Sequence, residues 1–364
     1  MEKIKLTDIC NPKQWKTIPT SELLENGYPV YGANGIIGYY SEFNHKNPVI
    51  TVTCRGATCG TINITVPKSY VTGNAMCLDD MRSDIYMEYL YYCLKHYNFN
   101  NVISGSAQPQ ITRQGMEKIY VTIGSHNEQM DIVDKLKKVE NVIGLRKREL
   151  KQLDTLVKSR FAEMFGDPIR NPKGWKVVTI GDIVTEVRYG TSKPAVEGGK
   201  YPYLRMNNLT ADGHLDLNDL KYIDISDDEV EKCVVRKGDV LFNRTNSIDL
   251  VGKTAVFDLQ DDMVIAGYII RVRLNEKILP EVLSQYMNLE ALKDILRSMA
   301  KGAVNQANIN AQELQSIRVY VPDIELQKQF VEMKDQVDKS KSKIRKSLEE
   351  TQLLFDSLMQ KYFG

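Results

Sequence analysis

The chain has 364 residues, 42% of them hydrophobic, which suggests two or three domains with sizeable cores. Its formal net charge of +1 excludes a uniformly basic surface, so any nucleic-acid contact must come from local clusters. No apolar run approaches the roughly 18 residues of a membrane span, and the polar start MEKIKLTDIC predicts no signal peptide. Six cysteines without a Cys-x-x-Cys pair predict reduced thiols and a cytoplasmic location.

The first half of the chain has the pattern of a β-rich region. The motif NPKQW stands near its start, at residues 11–15. An Asn-Gly turn lies in the glycine-rich residues 31–39, where close approach to a phosphate and a plain hairpin turn are equally open interpretations. TVTCRGATCGTI, at residues 51–62, predicts strand-turn-strand, and the polar loop SGSAQPQIT follows at 104–112.

A long helix is predicted next. Residues 119–123 alternate as a strand does, and a Ser-x-x-Glu capping box at 125–128 opens the helix. Gly166 suits its C-terminal cap. Apolar residues recur at heptad spacing, with Arg146 and Arg160 in the two gaps, at Leu136, Val139, Ile143, Leu150, Leu153, Val157 and Met164.

The second half repeats this order with different loops. NPKGW, at residues 171–175, precedes the polar segments EVRYGTSKP, YLRMNNL and LFNRTNS and the loop GAVNQANIN at 302–310. Asp323 suits the N-cap of a second long helix. Its apolar stripe has the phase of the first, at Val337, Ile344, Leu348, Thr351, Phe355, Leu358 and Tyr362.

These matches predict a pseudo-two-fold internal repeat of domain size. An offset of 160 aligns the two Trp motifs, and an offset of 198 aligns Gln108 with Gln306 and Gln129 with Gln327. The second copy would then carry about 38 extra residues (198 − 160) in its interior.

The stripes predict that the helices pair as an antiparallel two-helix coiled coil. An amphipathic helix packed on a domain core is the alternative, but about 38 residues at 1.5 Å each span about 57 Å, more than such a core covers. The predicted fold is α+β, with two α/β domains at residues 1–126 and 167–324. Two spacer helices, at 127–166 and 325–364, would hold the domains apart, as dimeric DNA readers hold units on two half-sites.

The arrangement resembles the specificity (S) subunits of type I restriction-modification enzymes. The resemblance covers essentially the whole chain and rests on the duplicated NPK-x-W motif, the Gly/Gln loops before EKIYVTIGSHNEQ and QSIRVYVPDIELQ, and two helices ending in Phe-Gly. It implies target-recognition domains that read an asymmetric bipartite sequence in double-stranded DNA. It also implies helices that dock two methyltransferase (M) subunits, which motor-nuclease restriction (R) subunits join.

The candidate DNA contacts are Arg, Lys, amide and hydroxyl side chains beside the predicted strand ends. Arginine suits guanine, and amide side chains suit adenine, although solvated loops and structural turns would also explain each one. In the first half they are Asn34, Thr53, Arg55, Thr58, Gln108 and Gln110. In the second half they are Arg188, Thr191, Lys193, Arg205, Asn207, Asn243, Arg244, Thr245, Lys253, Asn305, Gln306 and Asn308.

No catalytic motif is recognisable in the sequence. There is no Asn/Asp-Pro-Pro-aromatic motif, no Walker A loop and no His/Cys spacing typical of a metal site. We therefore expect a non-catalytic chain without cofactor or metal, whose four histidines are structural or solvated. The alternative function is a coiled-coil scaffold whose two β-rich ends bind protein partners.

Overall fold

The computed structural model describes residues 2–105, 108–300 and 306–364. The chain divides into two compact units, which we call unit 1 (Met1–Lys147 with Lys346–Gly364) and unit 2 (Arg148–Arg345). Each of the two long helices contributes one segment to each unit. Among the described residues, no helix is both long enough and apolar enough to cross a membrane.

Unit 1 is built from short strands and the first helices. It also contains 3-10 turns at Thr20–Glu22 and Phe99–Asn101. The elements are β1 (Glu2–Lys5), α1 (Leu6–Ile9), β2 (Asn11–Gln14), β3 (Tyr28–Gly32), β4 (Gly35–Tyr40), β5 (Ile50–Thr53), β6 (Ile62–Ile64), β7 (Tyr70–Val71), β8 (Ala75–Asp79), α2 (Met87–His96), β9 (Ile103–Ser104), β10 (Gln110–Ile111), α3 (Arg113–Met116), β11 (Tyr120–Ile123) and α4 (His126–Phe165).

Two sheets organise unit 1. An antiparallel sheet has the strand order β2-β8-β5-β6, and a smaller one has the order β4-β3-β7. The β-branched strand β5 is buried along its whole length, as a central strand should be. Helix α2 covers the core with Tyr89 and Leu90, both fully buried. The β3–β4 hairpin turns at Ala33–Asn34, which confirms the hairpin interpretation of residues 31–39, while close approach to a phosphate stays a prediction.

Unit 2 follows the same scheme with more strands. Its 3-10 turns lie at Ile180–Asp182 and Met206–Asn208. The elements are β12 (Lys176–Thr179), β13 (Val184–Tyr189), β14 (Tyr201–Leu204), β15 (Lys221–Ile223), α5 (Asp227–Cys233), β16 (Val234–Val235), β17 (Val240–Asn243), β18 (Thr245–Asn246), β19 (Thr254–Val256), β20 (Met263–Ile265), β21 (Ile269–Leu274), α6 (Pro280–Met287), α7 (Glu290–Met299), β22 (Ala307–Asn308), α8 (Ala311–Ser316), β23 (Arg318–Val321) and α9 (Ile324–Phe363).

The sheets of unit 2 have the strand orders β13-β21-β17-β19 and β15-β14-β20-β16. In the second sheet β14 and β20 run parallel, and the first sheet is antiparallel throughout. The main core lies between the first sheet, helices α6 and α7 and the long-helix residues Phe161, Phe165 and Phe330. The whole arrangement is therefore mixed α and β.

Both long helices have the predicted bounds to within one residue. The capping box forms, because the Ser125 backbone N–H donates to Glu128 Oε2 at 2.8 Å and the Glu128 N–H reaches Ser125 Oγ at 3.4 Å. Gly166, with φ of 85°, ends α4 in the left-handed conformation that favours glycine. Each helix is 40 residues long.

Within unit 1, the beginning of α4 packs against the end of α9. Arg146 donates to the Ser347 carbonyl at 2.6 Å and also to the Thr351 hydroxyl. Ile143 shares a buried cluster with Phe355. Leu136, Ile143 and Phe355 of the predicted stripe are buried. Four apolar side chains outside the stripe are exposed, namely Val142, Leu145, Leu353 and Leu354.

Within unit 2, the end of α4 packs against the beginning of α9. Lys341 is only 3% exposed, and its Nζ lies 2.6 Å from Asp154 Oδ1. Farther along, the rings of Phe161 and Phe330 lie 5.3 Å apart, edge to face. The partner's residue number falls as the α4 number rises, so these segments are antiparallel. Arg160, expected in the stripe, instead pairs with Glu163 of its own helix.

The two Trp motifs do not occupy equivalent places, which corrects the offset of 160. Trp15 follows β2 and donates to Asp79 Oδ2, whereas Trp175 precedes β12 and donates to the Phe165 carbonyl. Strand pairing gives the equivalence instead. Lys5 pairs with Tyr120 in unit 1, and Thr179 pairs with Arg318 at the same place in unit 2. Lys5 and Thr179 are therefore related by an offset of 174 (179 − 5). The extra length in unit 2 is then 24 residues (198 − 174).

Gln327, at the start of α9, is fully buried and fully bonded. Its Oε1 accepts from the Leu279 N–H at 2.8 Å, and its Nε2 donates to the carbonyls of Lys277 and Pro322.

We expect Gln327→Ala to lower the free energy of unfolding by about 1.5 kcal/mol, because the Leu279 N–H and the two carbonyls would lose their hydrogen-bond partner. Denaturant unfolding measures it. Gln336→Ala, at an exposed position of the same helix, is the control. An equal loss of unfolding free energy in Gln336→Ala would contradict a stabilising role for the Gln327 hydrogen bonds.

Candidate nucleic-acid interface

In unit 1, predicted contact residues converge at the end of strand β5. The Thr53 hydroxyl donates to the Ala33 carbonyl in the β3–β4 turn, which brings Asn34 close to this end. Two residues on, Arg55 forms a β-bridge with Gln110. The structure therefore places loops that are far apart in sequence side by side.

Exposure separates the residues of this cluster. Thr53 is buried and its hydroxyl is used within the fold. By contrast, the other predicted residues of unit 1 are exposed, namely Asn34, Arg55, Thr58, Gln108 and Gln110. The Arg55 side chain makes no hydrogen bond or ion pair with the residues that the structure describes, so its guanidinium can bind a ligand at no cost in internal contacts.

Sequence reasoning missed two apolar residues beside Asn34. Ile36 and Ile37 follow the turn and are 52% and 45% exposed. Apolar side chains on a DNA-binding surface can contact thymine methyl groups. The sequence signal was a pair of isoleucines directly after an Asn-Gly turn, because residues at a turn usually lie at the surface.

In unit 2, Arg244 is the centre of a comparable cluster. It follows β17, and its Nη2 donates to Asn308 Oδ1 at 2.9 Å. Its guanidinium carbon lies 5.0 Å from the ring centroid of Tyr189. Arg244 Nε has no hydrogen-bond partner among the described residues. The partners of this cation are thus neutral and planar, which orients the guanidinium without neutralising it.

The other predicted cations of unit 2 already have partners. Arg188 pairs with Glu186 at 3.1 Å, and Arg205 pairs with Asp219 at 2.6 Å. Lys193 pairs with Glu229. Because each of these charges has a carboxylate beside it, the local basic patch expected from the sequence is weaker than a count of Arg and Lys indicates.

Three predicted residues of unit 2 are buried structural groups. Lys253 is 8% exposed, and its Nζ donates to the Met206 carbonyl at 2.9 Å. Burial lowers the pKa of this lysine below its usual range. Asn243 is fully buried, with its amide on the carbonyls of Thr245 and Tyr268, and Thr245 is 4% exposed. Their polar atoms serve the fold and face no open surface.

The remaining predicted residues are distributed around unit 2. Thr191 is partly buried and forms an isolated β-bridge with Ala266, directly after β20. Asn207 is exposed in the 206–208 turn. Gln306 is exposed beside β22, next to Asn308, and Asn305 lies outside the described residues.

Two exposed tyrosines are near Arg244 in the fold, and one of them, Tyr268, was not among the predicted contacts. Tyr189 is 44% exposed and Tyr268 is 49% exposed. The Tyr189 ring lies against the Arg244 guanidinium, and the Arg244 backbone N–H donates to the Tyr268 carbonyl at 2.9 Å. Exposed aromatic rings beside an arginine can pack on sugar or base edges. An aromatic residue just before a buried strand, as in AGYII, was the sequence signal.

The chain is similar to specificity subunits of type I restriction-modification enzymes. The family model described as type I restriction modification DNA specificity domain matches residues 1–155 and 172–351. The putative type I restriction enzyme MjaX specificity subunit of Methanocaldococcus jannaschii is 30% identical over 53% of this chain and 46% of its own length. The EcoKI specificity subunit of Escherichia coli K12 is 24% identical over 77% of this chain and 65% of its own. The chain therefore spans about half to two thirds of the length of these relatives.

Solved structures show the same fold. A type I restriction-modification S subunit from M. genitalium superposes with a TM-score of 0.63 at 15% identity, covering 100% of this chain and 96% of that one. A chain of a type I restriction-modification system, solved to describe its assembly and conformational transition, gives a TM-score of 0.58 at 19% identity, covering 100% and 97%. Since the family model covers most of the residues, this chain belongs to the type I restriction-modification DNA specificity family.

Proposed function

We propose that this chain is the sequence-specific DNA-binding subunit of a type I restriction-modification complex and that it reads an asymmetric bipartite target. One observation carries the proposal. In unit 1 the Ile111 N–H donates to the Cys54 carbonyl at 3.0 Å, and in unit 2 the Ile309 N–H donates to the Arg244 carbonyl at 2.9 Å. The same backbone frame thus presents different side chains, as two half-sites of different sequence require.

A pseudo-two-fold internal repeat is part of this proposal. Gln129 in unit 1 accepts from the Tyr86 N–H and donates to two carbonyls, as Gln327 does with Leu279 in unit 2. The offset between the two glutamines, 198, is also the offset between Ile111 and Ile309. Conserved spacing of matched hydrogen bonds supports duplication of one domain.

An antiparallel two-helix coiled coil, formed by α4 and α9, is the second structural part of the proposal. Its support is the antiparallel packing of the two helices within unit 1 and, separately, within unit 2. The target-recognition domains would then be residues 1–126 and 167–324, and the spacer helices 127–166 and 325–364.

We also propose that the helices dock two methyltransferase subunits, which restriction subunits join. The exposed leucines of the long helices support a protein partner there, because Leu353 and Leu145 are 69% and 56% exposed. Chemistry on DNA would belong to those partners, with this chain non-catalytic. The free state of all six cysteines supports the proposed cytoplasmic location.

The test is selection of bound duplexes from a random library by the full chain, followed by sequencing and affinity measurement. We expect an enriched split motif and an affinity that falls about 10³-fold or more between 50 and 200 mM salt, since phosphate contacts release counterions. A protein-binding scaffold predicts flat salt dependence and no motif. Either of those results would contradict the proposal.

A further inference from the structure

Three side chains of unit 1 that could bind a metal ion meet at strand β8, which pairs with β5 in the larger sheet. Cys77 and Asp79 are two residues apart on β8, so they share one face of the strand. His45 reaches the same place, because its Nε2 lies 3.0 Å from Asp79 Oδ1. One donor atom from each side chain lies within 4.8 Å of the other two. His45 and Asp79 are partly buried, and Cys77 is fully buried.

The hydrogen bonds of Asn44 determine the tautomer of His45. Asn44 Nδ2 donates to the Val71 carbonyl at 3.0 Å, and its Oδ1 accepts from the Val71 N–H at 2.9 Å. The amide is therefore oriented with Oδ1, an acceptor, 2.6 Å from His45 Nδ1. His45 Nδ1 must carry a hydrogen. In neutral His45, Nε2 is then the nitrogen with the free lone pair.

That lone pair faces a carboxylate. His45 Nε2 lies 3.0 Å from Asp79 Oδ1, while Asp79 Oδ2 accepts from Trp15 Nε1 at 3.0 Å. Two acceptor atoms at this distance need a positive species between them or beside them. That positive species is either a second proton on His45 or a bound metal cation.

The geometry points to a divalent transition-metal site formed by His45 Nε2, Cys77 Sγ and Asp79 Oδ1. A set of nitrogen, sulfur and carboxylate oxygen suits Zn²⁺, which accepts all three in four-coordinate sites. Three protein donors leave the fourth position to water. The surroundings are those of a metal site, because Asn44 orients the imidazole and Trp15 orients the carboxylate.

The Cys77 thiol must lose its proton when the ion binds. Binding converts Cys77 S–H and M²⁺ into a thiolate–metal bond and releases H⁺ to solvent. The ion would fasten residues 44–45 to β8. With an ion bound, His45 would depart from the expectation that all four histidines are structural or solvated. No sequence spacing indicated this group.

Titration of the metal-free full chain with Co²⁺ and then Zn²⁺ tests the site. We expect one equivalent of Co²⁺ to give a thiolate-to-cobalt charge-transfer band that Zn²⁺ abolishes. His45→Gln and Cys77→Ser should each weaken Zn²⁺ binding at least tenfold and remove or diminish the band. Trp15→Phe, which deletes the donor to Asp79, should weaken binding about 10–100-fold.

Matched controls use residues of the same types outside the site. His126→Gln, at an exposed position, and Cys59→Ser, at a partly buried one, should leave affinity and spectrum unchanged. Circular dichroism checks folding, and if Cys77→Ser unfolds, His45→Gln decides. Absence of the band in the wild type, or equal affinity in the wild type and all three site variants, would overturn the proposal. A two-proton His45 signal by NMR that persists with excess Zn²⁺ would also overturn it.

Discussion

Replacing Glu186 with glutamine is expected to lower the free energy of unfolding by about 3 kcal/mol, because it leaves a buried cation without its counter-charge. The Arg271 side chain is 1% exposed, and its Nη2 lies 2.6 Å from Glu186 Oε2. Arg273 Nη1 lies 2.9 Å from the same oxygen. Glutamine keeps the shape but removes the charge that both arginines face. The partial exposure of Glu186 puts the loss at the lower end of the usual range.

Denaturant unfolding of the full chain measures this effect. Glu197→Gln is the matched control, because Glu197 is exposed and has no ion-pair partner among the described residues. A loss below about 0.5 kcal/mol, the usual range for surface substitutions, would contradict the structural role of the pair.

The same carboxylate predicts how acid affects stability. Burial alone would raise the pKa of Glu186, but the hydrogen bond from Arg188 and the charges of Arg271 and Arg273 hold the pKa below its usual value of 4.5. Its contribution is therefore present above about pH 4.5 and is lost as pH falls through the lower, folded-state pKa. In Glu186→Gln, the free energy of unfolding should therefore fall less as the pH is lowered below about 4.5 than it does in the wild type.

Replacing Arg55 and Arg244 with alanine is expected to remove much of the target preference. If each arginine reads a base, each substitution costs about 1–3 kcal/mol, or about 5–150-fold in affinity, and relaxes the preference at one half-site. The double variant should lose roughly the sum, because the two residues lie in different units and share no partner. Competition binding of the full chain with duplexes altered in either half-site measures both effects.

Charge and geometry can be separated with conservative variants. Arg244→Lys keeps the charge but loses the planar contacts with Tyr189 and Asn308, so it should bind phosphates and discriminate poorly. Arg236→Ala is the control, because this arginine pairs with Glu231 and Asp262. Equal loss of affinity on every duplex sequence would identify Arg55 and Arg244 as phosphate contacts and contradict base reading.

The long helices could be predicted because their signals are local. The capping box at 125–128, the heptad stripe and the Phe-Gly end all lie within the helix that they describe. Helix hydrogen bonds join residues four apart, so sequence spacing translates directly into structure. The strand before α4 was predicted for a similar reason, since five alternating residues suffice to indicate it.

The Trp motifs show where local similarity misleads. NPKQW and NPKGW agree in four of five residues, yet one begins within β2 of the larger sheet and the other precedes β12. The better match, LTDI with IGDI at an offset of 174, became evident only from the pairing of β1 with β11 and of β12 with β23. Strand pairing depends on residues more than a hundred positions away, which a short motif does not contain.

By itself, the sequence determined the two long helices, the mixed α and β composition and the polar loops that carry the predicted DNA contacts. Tertiary structure decided which loop residues face solvent. Arg55 and Lys253 were both predicted DNA contacts, but one is exposed and the other is buried on backbone carbonyls. It also brought His45 to Cys77 and Asp79. The physical reason is that burial and side-chain neighbours arise from pairings between distant strands, whereas helix formation and turn chemistry arise from residues adjacent in the chain.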